Sequence, residues 1–145
     1  MVAKQLTIFM ENRPGRVHSV CDILEGKGLN IWAFTIQDRG DFGLMKLIVD
    51  KPDQAQLALA ERGFACALKE VLAITAPDKP GNLDRLTSAL LEKNVNIKDI
   101  YGFVSPNDRQ GLCFMEFENP NDVVIAELIG RYGFQVLTNE ELYEL

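Results

Sequence analysis

Alternating and helical patterns of apolar residues follow one another along the first half of the chain. Residues 5–10 alternate inward and outward positions, as a strand does, and Val17, Val20, Cys21 and Leu24 then recur at the spacing of one helix face. Residues 31–37 and 44–49 predict a hairpin, residues 51–62 a second helix and residues 64–68 a short fourth strand. The predicted order is strand, helix, strand, strand, helix, strand.

The second half repeats this order. We predict a strand at 71–76, a helix striped by Leu83, Leu86 and Leu90, a hairpin at 97–104 and 112–117, a helix at 121–132 and a strand at 134–137. The acidic tail, residues 139–145, predicts one more helical turn. This is the split βαβ order of ferredoxin-like folds, in which two helices cover one face of four antiparallel strands. We therefore expect an α+β protein of two ferredoxin-like βαββαβ domains, residues 1–69 and 70–145, with antiparallel sheets packed side by side.

The repeat also holds for individual residues at the ends of the first helix of each half. Glu-Asn-Arg-Pro-Gly at 11–15 recurs as Pro-Asp-Lys-Pro-Gly at 77–81, and Gly-Leu-Asn-Ile at 28–31 recurs as Asn-Val-Asn-Ile at 94–97. In both pairs of segments, matching residues are separated by the same number of positions along the chain, which is the separation of Pro14 from Pro80. The offset grows after the second hairpin because its turn is longer, and insertions collect in loops. A repeat this long indicates a folded module used twice.

Composition and charge exclude several classes of protein. Hydrophobic residues make up 47% and charged residues 25% of the chain, which is typical of soluble globular domains. The net charge of −6 lies in residues 71–145, which hold six basic and twelve acidic side chains, and an acidic domain disfavours nucleic acid. No apolar run approaches the roughly 20 residues of a membrane span, and the start lacks a signal-peptide core. We expect a cytoplasmic protein with neither a nucleic-acid nor a membrane partner.

No catalytic or metal-binding constellation stands out. Cys21, Cys66 and Cys113 are widely spaced, and we expect them to be buried, reduced thiols. The single histidine, His18, is three residues from Cys21, but no Asn or Asp is placed to orient it as a catalytic base. We therefore predict no enzyme activity, no metal and no cofactor.

The two motifs resemble those of the ACT domain, a small regulatory module that binds amino acids. The first copy, with Asn12 in the turn and Asn30 after the helix, is most similar to the serine-sensing ACT domain of bacterial phosphoglycerate dehydrogenases. The resemblance implies that these two side chains hold an amino-acid effector, usually at an interface between two modules. The serine sensors carry a histidine two positions before the turn asparagine, where this chain has Met10.

Physical chemistry independently favours an amino acid at the first motif. The amides of residues 15–17 begin the helix without helical partners, which favours a carboxylate, and Gly15 allows close approach to the backbone. Asparagine amides can accept from an ammonium group and donate to a carboxylate. The same residue types are also common helix caps and exits, so a purely structural role is the alternative. The first candidate site comprises Met10, Asn12, Arg13, Pro14, Gly15, Arg16, Val17, Leu29, Asn30 and Ile31.

The second copy of the motif gives a second candidate site. Asp78 replaces the turn asparagine, and its carboxylate can bind an ammonium group but repels a nearby carboxylate. We therefore rank the first site above the second. The second site comprises Asp78, Lys79, Pro80, Gly81, Asn82, Leu83, Val95, Asn96 and Ile97.

Two functions are compatible with this pattern. The leading hypothesis is a regulatory protein of two ACT domains, without an attached enzyme domain, that binds a small free amino acid and signals its level through a change of shape or assembly. The alternative is an interaction module that docks on a metabolic enzyme and binds no small ligand. Each ferredoxin-like half leaves a sheet face or edge uncovered, so we also expect a homodimer.

Overall fold

The computed structural model describes residues 2–118 and 123–144. The chain divides into two compact units: residues 4–69, called the first module, and residues 70–145 together with residues 1–3, called the second module.

The first module has the predicted element order. Its elements are β1 (Ala3–Glu11), α1 (Arg16–Gly26), β2 (Ile31–Asp38), β3 (Phe42–Val49), α2 (Pro52–Glu61) and the start of β4 (Ala65–Pro77). The strands lie in the order β2-β3-β1-β4, and β3 pairs antiparallel with both β1 and β2. Apolar residues of α1 and α2, among them Leu24 and Leu59, pack on Leu6 and Leu47 of the sheet. The amphipathic stripe of α1 therefore faces the core, as its spacing predicts.

The second module repeats the arrangement. It contains the rest of β4, then α3 (Asn82–Glu92), β5 (Asp99–Val104), β6 (Gln110–Glu116), α4 (Val123–Arg131), β7 (Gln135–Leu137) and α5 (Asn139–Tyr143). The strands lie in the order β7-β4-β6-β5, and each of these pairings is antiparallel. The predicted last helical turn is confirmed: Thr138 and Glu141 form a capping box that begins α5.

Two predicted element boundaries differ from those in the structure, and a third lies outside the described residues. The predicted strands at 64–68 and 71–76 are one strand of 13 residues, β4, because the exposed Lys69 and Glu70 between them do not break an extended backbone. The strand predicted from residue 97 begins at Asp99, because its pairing with β6 starts there, with Asp99 opposite Glu116. The predicted start of the helix at residue 121 lies outside the described residues.

Candidate functional site

A glycine in a left-handed conformation begins the first helix of each module. Gly15 has φ 90° and Gly81 has φ 88°, values that favour glycine over any residue with a side chain. We expected the amides of residues 15–17 to be unpaired, but the amide of Arg16 donates to the carbonyl of Arg13 at 3.4 Å. The matching amide of Asn82 makes the same long bond within its turn. These bonds close a tight turn before each helix. The sequence motif alone did not predict them.

Asn12 fastens the end of β1 to the hairpin turn between β2 and β3. Its amide nitrogen donates to the Asp38 carboxylate at 3.0 Å and to the Gly40 carbonyl at 3.2 Å, and its backbone nitrogen donates to the Asp41 carbonyl at 3.3 Å. The Asn12 side chain does not cap α1, so the capping role weighed for it is wrong. Its amide nitrogen could donate to a ligand carboxylate only if these bonds were exchanged.

Asp78 fastens the second turn to the second hairpin in the same way. The Arg109 guanidinium donates to the Asp78 carboxylate at 2.8 Å, and the Asp78 amide donates to the Arg109 carbonyl at 2.7 Å. The negative charge that we expected to repel a ligand carboxylate therefore has a cationic partner. The pair is largely exposed, so it adds little stability by itself.

The segments that follow α1 and α3 line separate cavities. In the first module the backbone N–H of Asn30 donates to the Asp50 carboxylate at 3.0 Å, and Leu29, Asn30 and Ile31 line a cavity of about 420 Å³. In the second module Val95 and Asn96 line a cavity of about 340 Å³ beside α4.

The two motifs of one module do not meet. Each lies at one end of a helix of 11 residues, which spans about 16 Å at about 1.5 Å per residue. Asn12 and Asn30 of the first module therefore cannot both contact one free amino acid, and neither can Asp78 and Asn96 of the second module. The resemblance implied joint roles for Asn12 and Asn30, and within one module the fold separates them.

The predicted site residues differ in exposure. Asn12 and Asn30 are exposed, and the Arg13 guanidinium pairs with Glu11 at 3.0 Å. In the first site Met10 and Leu29 are buried, Arg16 and Ile31 are half-buried, and Asn12, Arg13, Pro14, Gly15, Val17 and Asn30 are exposed. In the second site Asn82, Val95 and Ile97 are half-buried, and Asp78, Lys79, Pro80, Gly81, Leu83 and Asn96 are exposed.

A larger cleft opens at the turn of the second module. It has a volume of about 540 Å³ and runs from the turn and the start of α3 over β4, β5 and β6 to Phe134. Five predicted residues line it: Asp78, Lys79, Gly81, Asn82 and Leu83. Sequence reasoning missed Gly102, Cys113 and Phe134, which also line it. Only Gly102 gave a usable signal, because a glycine inside a strand pattern often marks a close approach.

Burial sets the protonation of the groups near this cleft. Burial raises the pKa of the Cys113 thiol to about 11, so the thiol is protonated near neutral pH. Burial, and to a smaller extent the carboxylates of Asp99 and Glu116, raises the pKa of Tyr101, whose ring stacks on Phe114 at 5.3 Å. The cleft therefore offers Cys113 as a small apolar side chain rather than as a thiolate nucleophile.

The remaining chemical predictions concern thiols, metals and membranes. The three cysteines are free, but each is half-buried rather than buried; Cys66 and Cys113 pack against the margins of the two cores. Within residues 2–118 and 123–144, His, Cys, Asp and Glu side chains form no group that could hold a metal ion. No helix in those ranges is long and apolar enough to cross a membrane.

The chain thus consists of two ferredoxin-like modules, each with a glycine turn before its first helix. The sequence profile of the ACT domain pair family matches residues 1–145. The chain therefore belongs to the ACT domain pair family, a regulatory class of ligand-binding modules.

Solved structures agree with this assignment. Protein BT0572 from Bacteroides thetaiotaomicron is 32% identical, with a TM-score of 0.90 over 100% of this chain and 98% of that chain. The ligand-free regulatory subunit of aspartate kinase from Thermus thermophilus is 16% identical, with a TM-score of 0.65 over 91% and 94% of the two chains. The regulatory subunit from Thermus flavus is 13% identical, with a TM-score of 0.60 over 91% and 94%. These two show likeness of fold alone. A comparison with curated proteins finds no match.

Proposed function

We propose that this protein is a regulatory sensor that binds a free α-amino acid at the turn between the first strand and the first helix of an ACT module. The observation that carries the proposal is the cleft of about 540 Å³ that opens at the second turn. Concave sites with an apolar body and a few convergent polar groups are the usual form of a small-molecule site. Here Asp78, Lys79 and Asn82 supply the polar groups at one end.

A zwitterion matches these polar groups. The Asp78 carboxylate can accept from an α-ammonium group, and the Lys79 ammonium can donate to an α-carboxylate. The glycine turn lets a ligand approach the backbone without meeting a Cβ, since a Cβ built on Gly81 has open space around it.

The proposal includes a homodimer in the cytoplasm. A second copy of the chain could bring its helix exit to the turn of the first, which one module cannot do because α1 separates Asn12 from Asn30. The edge strand β2 exposes Phe34 (69%) and Ile36 (49%), and an apolar edge of this kind favours pairing with another copy. Free cysteines suit a reducing compartment. Since the Thermus proteins of similar fold are regulatory subunits of aspartate kinase, we expect the signal to pass to a metabolic enzyme.

A thermal-shift screen of the twenty amino acids tests the proposal. An amino acid present at 100 times its Kd should stabilise the protein by about 2.7 kcal/mol and raise its Tm. The same acid without its α-ammonium group should stabilise less, because the accepting carboxylate would lose its donor. Melting curves unchanged by all twenty at millimolar concentration would instead favour an interaction module that binds no amino acid.

A further inference from the structure

The strand register identifies which residues of the two modules occupy matching positions. In the first module Met45 lies opposite Ile8 on one side and Ile36 on the other. In the second module Cys113 lies opposite Ile74 and Gly102. Cys113 thus stands where the first module has methionine, and Gly102 stands where it has isoleucine.

At the end of the first strand and the start of the first helix, the second module again has smaller side chains than the first. Met10 lies opposite Gly43, and Ala76 lies opposite Gly111, so alanine replaces methionine. At the first position of the helix, Asn82 replaces Arg16.

This last exchange changes which arginine lies over the aromatic ring behind the turn. In the first module the Arg16 guanidinium lies over the Phe64 ring, 4.4 Å from its centroid. Phe134 is the matching aromatic residue, and it lines the cleft. Arg85, one turn along α3, reaches the Phe134 ring at 5.5 Å. The Phe134 ring therefore contacts an arginine and also lines the cleft.

Three of these large-to-small differences, at Ala76, Asn82 and Cys113, thus coincide with free space in the cleft, and its wall is mostly apolar. Gly102 also lines the cleft but leaves no such space, because a Cβ there would lie 2.6 Å from the Leu112 carbonyl oxygen. The apolar wall is completed by Ile74, Leu83, Leu86, Ile100 and Phe134. Apart from Thr75 and Tyr101, the polar side chains that line the cleft belong to the turn and the start of α3, so a ligand with charged groups there would point its remaining atoms along the mostly apolar wall.

We infer that the cleft of the second module is the principal amino-acid site and that it takes an α-amino acid with a bulky apolar side chain. This rests on the proposed function and reverses the ranking of the two sites that the sequence motifs suggested. A side chain of four or more carbons would occupy the space left where the first module has Met10, Arg16 and Met45.

Filling the cleft with the residues of the first module tests this inference. Calorimetric titration should show L-leucine or L-phenylalanine binding to the natural protein at least about tenfold more tightly than glycine or L-alanine, since burial of such a side chain is favourable. The variants Cys113→Met and Ala76→Met should each weaken that binding at least about tenfold. Cys66→Met is the matched control: it is the same substitution at a half-buried strand position outside the cleft, and it should leave the affinity within twofold.

The outcomes separate this inference from the proposed function. Glycine or L-alanine binding as tightly as both bulky amino acids, or unchanged affinity in both folded filling variants, would overturn the inference and leave amino-acid sensing intact. Binding of none of the twenty would overturn both. If neither variant folds, the natural protein still decides: bound L-leucine or L-phenylalanine should slow alkylation of Cys113 at least fivefold without slowing that of Cys66. Equal rates for Cys113 with and without these amino acids would overturn the inference.

Discussion

Substitution of Gly102 by alanine should destabilise the second module, because the strand wall behind the cleft has no room for a methyl group. A Cβ built on Gly102 would lie 2.6 Å from the Leu112 carbonyl oxygen and 2.9 Å from Cys113 Cβ. The first neighbour is a backbone atom of the paired strand β6, so no side-chain rotation relieves the clash. β5 must move away from β6, at the cost of the pairing between Gly102 and Cys113.

Overpacking of this kind costs about 1–3 kcal/mol. For a domain of 60–100 residues each kcal/mol lowers the Tm by about 4–8 °C. We therefore expect Gly102→Ala to lower the Tm of the transition that includes the second module by at least about 4 °C, as measured by differential scanning calorimetry.

A matched glycine provides the control. Gly130 lies in α4, and a Cβ built there meets no atom within 4 Å. Since alanine is the better helix former, Gly130→Ala should stabilise the protein by about 0.5–1 kcal/mol. Gly102→Ala with the stability of the natural protein, or with the same gain as Gly130→Ala, would refute the steric argument.

Three further predictions concern the thiol of the cleft and the apolar sheet edge. Because burial raises the pKa of Cys113 from 9.0 to about 11, its alkylation by iodoacetamide at pH 8 should be about 100-fold slower than that of an unperturbed thiol and should accelerate as pH rises toward 11; equal rates would contradict the burial. The raised pKa also makes stability depend on pH, because the folded protein favours the protonated Cys113 thiol. This stabilisation is fully present below about pH 9 and is lost as pH rises through about 11, which urea unfolding at several pH values in that window would measure. Phe34→Glu on the edge of β2 should convert the expected homodimer to a monomer of 16.2 kDa in light scattering, whereas Leu57→Glu on the exposed face of α2 should not. A monomeric natural protein, or a dimer that survives Phe34→Glu, would contradict this.

The order of elements could be predicted from the sequence because each one follows from local patterns. The apolar stripe of α1 and the alternation of β1 can be recognised from residues close together in the sequence, and the repeat shows the same pattern a second time. The fusion of two predicted strands into β4 was missed because two charged residues, Lys69 and Glu70, read as a break. In the structure they are simply exposed positions of an extended strand.

The candidate site was predicted less well because it depends on contacts between distant residues. The turn glycines are local, and the motif identifies Gly15 and Gly81, although their left-handed conformation was seen only in the structure. The bonds from Asn12 to the hairpin depend on where residues 38–41 fold, which the motif does not specify. The cleft depends on strand register, because only the pairing of β5 with β6 places Gly102 opposite Cys113. No pattern within either segment indicates that the two small residues face each other.

The most direct test of amino-acid binding in the second module is a titration of the ¹⁵N-labelled protein with L-leucine and L-phenylalanine, followed through the glycine amides in two-dimensional NMR spectra. We predict that the largest shifts occur at Gly81, Gly102 and Gly111, which line the cleft of the second module. Shifts confined to Gly15 and Gly28 of the first module, or no shift at any glycine, would contradict this prediction.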